Sequence, residues 1–391
     1  MKRRRPQRLR HIAGIGVDQM GALADRSGED FLRLENLDVD VLPDAEAVEM
    51  TRRSAQRDAD NSYLPFVGQD RLRRVAAEHV SRTSGVDYSG ERHCVISAGG
   101  LAGILNVLLA TLEVGDEVVL TDPTYAGLIN RVRLAGGVPA FAPLVFSPGS
   151  EWRLDHAGLR AAVGPRTTAM LLMSPSMPTG AVFGADDWEL VAALCRQHDL
   201  LLIVDAAMER LLFDGRELVH PAGLPGMAER TVSVGSSAKE LRMIGWRVGW
   251  VVAPEWLMPD LTAVSIANVV VPVGLAQDAV ALALERSAAT LPAFVAELQA
   301  RRDLMLDELA GLPVGVPGGG WSLLMRVSDF GINGAEMSRR LLAQKVCATA
   351  MAGWGGQNAT EYIRFVYSNE PRERLRGLGD RVRRALEMSP G

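Results

Sequence analysis

Between residues 94 and 252 the chain alternates short, fully apolar runs with segments of helical periodicity, and few folds accept that pattern. CVIS is followed by LAGILNVLLATL, EVVLT by YAGLINRVRLA, and TAMLLMS by DWELVAALCRQHD, after which LLIVD, TVSVG and VGWVVA supply three further runs. A strand that is apolar on both faces must be covered on both. Helices interleaved between such strands achieve this around a mainly parallel sheet. Asp186 and Glu189 have the spacing of a capping pair and predict the start of the helix before LLIVD. Past residue 275 the alternation stops. A long helical stretch, ALALERSAATLPAFVAELQARRDLMLDELAGL, leads into VPGGGWSLLMRVSD and another helix at GAEMSRRLLAQKV. That change predicts a smaller α+β domain, which the N-terminal segment joins. The expected division is an arm over 1–45, a large domain over 46–285 and a small domain over 286–391.

The chain has 391 residues, 48% of them hydrophobic, which is enough for two domains with a large buried core. Its 42 basic and 47 acidic residues leave a net charge of −5, the wrong sign for a nucleic-acid binder. Cys94, Cys195 and Cys347 are far apart, with no metal-ligand spacing, and predict a reduced, cytoplasmic protein. The basic opening MKRRRPQRLR resembles the start of a signal peptide, but HIAGIGV is too short and glycine-broken for the apolar part, so the opening is read as a solvated tail. No apolar run in the sequence is taken as long enough to span a membrane.

The residues with chemistry fall at the ends of the apolar runs. Lys239 stands in GSSAKELRMIGWRVGW, three positions after Ser236 and eight before Arg247. A lysine amine can form a Schiff base with an aldehyde cofactor. A serine hydroxyl and a guanidinium fork can both hold a phosphate. Gly99 and Gly100 follow the strand that ends at Ser97 and open a helix, where exposed N–H groups favour an anion. Tyr125 lies in DPTYAGL, Asp205 closes LLIVD, and Arg364 lies in YIRFVYSNEP. Each has an ordinary structural reading: a solvated lysine, a glycine turn, a buried aromatic, a helix cap, a strand-edge ion pair. Their order along the chain argues otherwise.

Taken in that order, from Ile12 to Arg384, the segments resemble the class I/II aminotransferases, pyridoxal-phosphate (PLP) enzymes of fold type I. In YLPFVGQDRLRR, Tyr63, Pro65, Gly68, Leu72 and Arg73 match that family's YxPxxGxxxLR segment. The resemblance implies a large domain with a mainly parallel seven-stranded sheet and a smaller α+β domain. It implies that Lys239 carries PLP as an internal aldimine, that Asp205 pairs with the pyridine nitrogen and that Tyr125 stacks on the ring. Gly99, Gly100, Leu101, Ser236 and Arg247 would surround the phosphate, with Tyr63 reaching it from the partner subunit of a homodimer. Arg364 would bind the substrate carboxylate, and Leu37 lies where the family often has a glycine close to the substrate. The implied activity is amino-group transfer between an amino acid and a 2-oxo acid.

Two departures bear on the reaction. The family's NPxNPTG is SPSMPTG here, with Met177 in place of asparagine, and Met208 replaces the tyrosine of the family's DxxY. Both residues normally donate to the phenolic oxygen of PLP, and a thioether cannot. Elimination, replacement or carbon–carbon bond formation on the same scaffold therefore stands as the alternative. A PLP-sensing DNA-binding regulator is disfavoured by the short segment before the match, and a pseudoenzyme by the presence of Lys239 and Asp205.

Overall fold

The structure, a computed structural model, describes residues 6, 9–12, 14 and 17–388, so most of the basic opening lies outside the described residues. The N-terminal segment carries the short β1 (Leu32–Arg33). The next eight strands are β2 (Cys94–Ser97), β3 (Glu117–Asp122), β4 (Val138–Val145), β5 (Arg153–Leu154), β6 (Thr167–Leu172), β7 (Leu201–Asp205), β8 (Thr231–Ser236) and β9 (Gly249–Val252). They form one sheet in the order β2-β9-β8-β7-β6-β3-β4-β5. β4, β3, β6, β7 and β8 are parallel to one another, while β9 runs antiparallel between β8 and β2. The carboxyl ends of β2, β3, β6, β7 and β8 therefore lie along one edge. The two-residue β5 adds an eighth strand to the seven expected.

The apolar runs are strands because both faces are covered. Val118, Leu120, Leu171 and Ile203 meet Ile104, Val107, Leu108, Leu128 and Ile129 of the helices Gly100–Thr111 and Ala126–Leu134. Their neighbours Val119, Met170, Leu172, Leu202 and Val204 point the other way, toward Trp188, Val191 and Leu194 of the helix Ala185–Gln197. Period-two alternation thus serves two apolar layers. The cap of that last helix corrects the sequence reading. The helix starts at Ala185, and the Gly184 N–H donates to Asp187 Oδ2 at 2.9 Å, so Asp187 rather than the Asp186–Glu189 pair caps it.

A second correction concerns the 35-residue helix Gly274–Glu308, which is long and apolar enough to cross a bilayer by length and composition. Its first turns pack Ala276, Val280, Ala283 and Leu284 against Ala47, Leu72, Val75 and Ala76 of the helices Ala45–Ser54 and Asp70–Ser84. Further along, Arg301 and Arg302 are buried and paired with Asp40 and Asp214. It is a core helix of the fold.

The C-terminal part contains β10 (Ser322–Arg326), β11 (Val346–Cys347), β12 (Thr349–Ala350) and β13 (Tyr362–Val366). β13 lies antiparallel between β10 and β12, and β1 pairs in parallel with β11, which stitches the N-terminal segment to this part. All three cysteines are buried and unpaired.

Candidate active site

The shared edge of the sheet brings the chemistry-bearing segments together. Gly99, with φ +96°, follows β2 and opens the helix Gly100–Thr111. Gly249 faces both Ser97 and Ser236 in the ladder, and a Cβ there would lie 2.6 Å from the Gly100 nitrogen. The two turns approach only because neither carries a side chain at that point. A Cβ at Gly99 would stand 2.8 Å from Arg247 Nη2, so the guanidinium borders the cup of backbone N–H groups. Gly100 lies against Ser236 in the same way. A helix N-terminus, a hydroxyl and a guanidinium in one place make an anion site of the size and polarity of a phosphate. Leu101 offers no side-chain donor; its carbonyl accepts Arg131 Nε at 2.7 Å.

Asp205 closes β7 and Lys239 follows its parallel neighbour β8. Asp205 is buried and accepts only the Ala207 N–H at 3.2 Å among the side-chain bonds of the described residues. Burial pushes its carboxyl up to about 6, against the pull of that N–H, Lys239 and Arg131. Burial likewise pushes the Lys239 amine down to about 7, with Asp205 opposing and Arg364 assisting. Lys239 Nζ donates to the Leu37 carbonyl at 3.3 Å and lies 3.7 Å from the centroid of Trp321. A half-protonated amine near neutral pH is poised to attack an aldehyde. Asp205, a buried carboxylate with one bond, suits a cationic ring nitrogen. The residues fit PLP.

Arg364 on β13 is wholly buried. Its Nη2 donates to the Glu35 carbonyl at 3.0 Å and to Thr349 Oγ1 at 3.1 Å, and its Cζ lies 4.4 Å from the Trp354 ring. Nε and Nη1 have no partner, and burial pushes the group down to about 9 against the charges of Tyr125 and Glu35. Tyr125 precedes the helix Ala126–Leu134 and sits 5.3 Å from Trp354, the rings tilted by 57°. Met177 and Met208 are buried beyond the carboxyl ends of β6 and β7. Tyr63 is not drawn into the cluster: it is 84% exposed.

Three residues of the site escaped the sequence reading. Arg131 is pushed below its usual range by burial while Tyr125, Asp205 and Arg247 all act on it. Its signal was an arginine inside the apolar helical pattern YAGLINRVRLA. Trp321 and Trp354 flank Lys239 and Arg364, and nothing in their local sequence marks them.

A sheet with an anion cup, an activated lysine and a buried carboxylate along one edge defines the class, a PLP-dependent enzyme of the aminotransferase fold. The chain belongs to the family aminotransferase class I and II, which matches residues 31–382. It is 30% identical over 352 residues to aromatic-amino-acid aminotransferase 2 of Thermococcus litoralis, covering 88% of this chain and 90% of that one. N-succinyldiaminopimelate aminotransferase from Mycobacterium tuberculosis superposes with a TM-score of 0.89 at 30% identity, over 98% of this chain and 99% of that chain. Thermus thermophilus aspartate aminotransferase with maleate gives 0.89 at 28% identity, over 98% and 100%. The protein is a PLP-dependent aminotransferase. These relatives are named for amino-group transfer, which favours that reaction over elimination, replacement or carbon–carbon bond formation.

Proposed function

We propose that Lys239 would hold PLP covalently and that its Nζ, once freed, would move a proton from the substrate Cα to C4′ of the cofactor. The observation that carries this reading is the buried pair at neighbouring strand ends, an amine near pH 7 beside a carboxylate near pH 6. When bound, the cofactor supplies the electron sink for the charge left at Cα. Asp205 keeps that sink effective by holding a proton on the ring nitrogen, and Tyr125 covers a face of the ring. Gly99, Gly100, Ser236 and Arg247 hold the phosphate, beside Leu101. Arg364 orients the substrate through its carboxylate, next to Leu37. Met177 and Met208 pack against the phenolic side without donating to it.

Loading of stripped protein tests this. Only the neutral amine attacks an aldehyde, so the rate of PLP uptake should rise with pH through about 7 and level off well before the range of a free lysine. Borohydride should then fix the cofactor to the peptide containing Lys239. A rate that still climbs steeply above pH 9 contradicts the poised amine, and a label on another peptide contradicts the assignment.

We also propose that the active unit is a two-fold dimer with shared sites. Tyr63, Phe66, Val270 and Val273 are exposed, an unusual outlay of apolar surface, and a partner would carry Tyr63 to the phosphate. Tyr63→Phe and Lys239→Ala chains, allowed to exchange subunits, should then form one intact site per mixed dimer. The mixture should exceed both parents in activity. No gain after proven exchange removes the shared site.

A further inference from the structure

Two buried carboxylates next in sequence to Met208 and Lys239 take no part in the chemistry above. Glu240 Oε1 accepts the Arg210 backbone N–H at 2.7 Å, and Glu240 Oε2 accepts Arg210 Nε at 2.7 Å; Nη2 lies 2.6 Å from Oε2 as part of the ion pair but makes no hydrogen bond of its own. One carboxylate is thus saturated by the main chain and the side chain of a single residue. Arg210 Nη1 goes on to donate to Ser287 Oγ at 2.9 Å, on the helix Gly274–Glu308. Glu209 lies 2.9 Å from His79 Nε2 on the helix Asp70–Ser84. Burial pushes His79 down to about 3, so the imidazole is neutral, and burial raises the Glu209 carboxyl beside it. Glu209, Glu240 and His79 are all buried.

These bonds tie together the two turns that carry the reactive groups. Residues 206–210 leave β7 after Asp205, and residues 237–243 leave β8 with Lys239 among them. Among the described residues, the backbone joins the strand ends through Ala206 N–H to the Val234 carbonyl, and beyond that point Glu240 and Arg210 make the connection. A buried ion pair contributes little net stability compared with a well-packed apolar pair, and its best-attested use is to fix register. Geometry is what the reaction needs here, since a misplacement of about 1 Å can cost about 100-fold in rate.

We propose that the Arg210–Glu240 pair is a positioning clasp that fixes Lys239 Nζ against Asp205, with Glu209–His79 as its second anchor. It rests on the reading of Lys239 and Asp205 given above. The clasp acts on where the amine stands and leaves the substrate's carboxylate contact alone, so it predicts a split between kcat and KM. The test compares wild-type holoenzyme with Glu240→Gln, Arg210→Met and the double variant. Each single variant should lose about 10–100-fold in kcat with KM for the amino acid within about threefold, and should move the pH midpoint of the bound cofactor's absorbance. The double variant should be little worse than either, because both singles break one interaction. Arg210→Lys, which keeps the charge, should recover part of the loss. A lowered Tm with unchanged kcat and unchanged pH midpoint would make the pair merely structural and overturn the proposal, as would additive losses. If Arg210→Met fails to fold, Glu240→Gln, which keeps an acceptor for the backbone N–H, decides the matter alone. Wild-type protein that takes no borohydride label on Lys239 refutes the parent reading instead, and the two failures are therefore distinct.

Discussion

Lys239→Ala protein should retain the fold and lose amino-group transfer by at least about three to four orders of magnitude in kcat. The size of the loss follows from two roles held by one atom. In the proposed mechanism Nζ is the covalent anchor that presents the cofactor to an incoming amine, and it is the base that acts at the substrate Cα once released. Among the described residues of the site no second amine stands ready, since Arg131, Arg247 and Arg364 are guanidiniums. Folding should be little affected: the side chain gives one hydrogen bond to the Leu37 carbonyl and one contact with Trp321, and its burial as a cation is itself unfavourable. The decisive measurement is a single turnover with amino acid and cofactor supplied in excess, so that weak cofactor retention cannot masquerade as lost chemistry. Turnover within tenfold of wild type would move the catalytic base elsewhere.

Arg364→Met should weaken amino-acid binding by roughly 2–5 kcal/mol. That corresponds to about 30- to 4000-fold in Kd. Two guanidinium nitrogens without partners, in a fully buried group, are costly unless a ligand meets them. A bidentate carboxylate does so, and methionine removes both the charge and the fork. The absorbance of the bound cofactor without substrate should not change, because Nη2 spends its bonds on Glu35 and Thr349. The control is a decarboxylated amine, whose slow reaction should be insensitive to the substitution. Equal loss for the amine and the amino acid would show that Arg364 supports the site in general and does not read the carboxylate.

What the sequence made legible was whatever is encoded locally. Strands β2, β3, β6, β7, β8 and β9 stand out because burial on both faces forces unbroken apolar runs. Strand β4 hides because Pro139 and Pro143 interrupt its pattern, which is tolerated beside the short, edge-forming β5. Lys239, Asp205, Arg364 and the glycine pair could be found because each sits at a strand end or within a strand, in an order that repeats a known plan. Trp321 and Trp354 could not: the first meets Lys239 across about eighty residues and the second meets Arg364 from a loop, and tryptophan in a core announces nothing. The Arg210–Glu240 pair is thirty residues apart and becomes visible only when β7 and β8 are side by side.

The unmatched charge on Arg364 has a thermodynamic corollary. A folded chain that holds an unsatisfied cation in its interior is less stable than it would be with the counter-charge in place, and any small carboxylate that enters repays the difference. By mass action, a ligand at 100 times its Kd adds about 2.7 kcal/mol to the free energy of unfolding. On the proposed role of Arg364, substrate supply and conformational durability should therefore be coupled. When amino acids are abundant the folded population should be reinforced, and when they are scarce that gain should be absent.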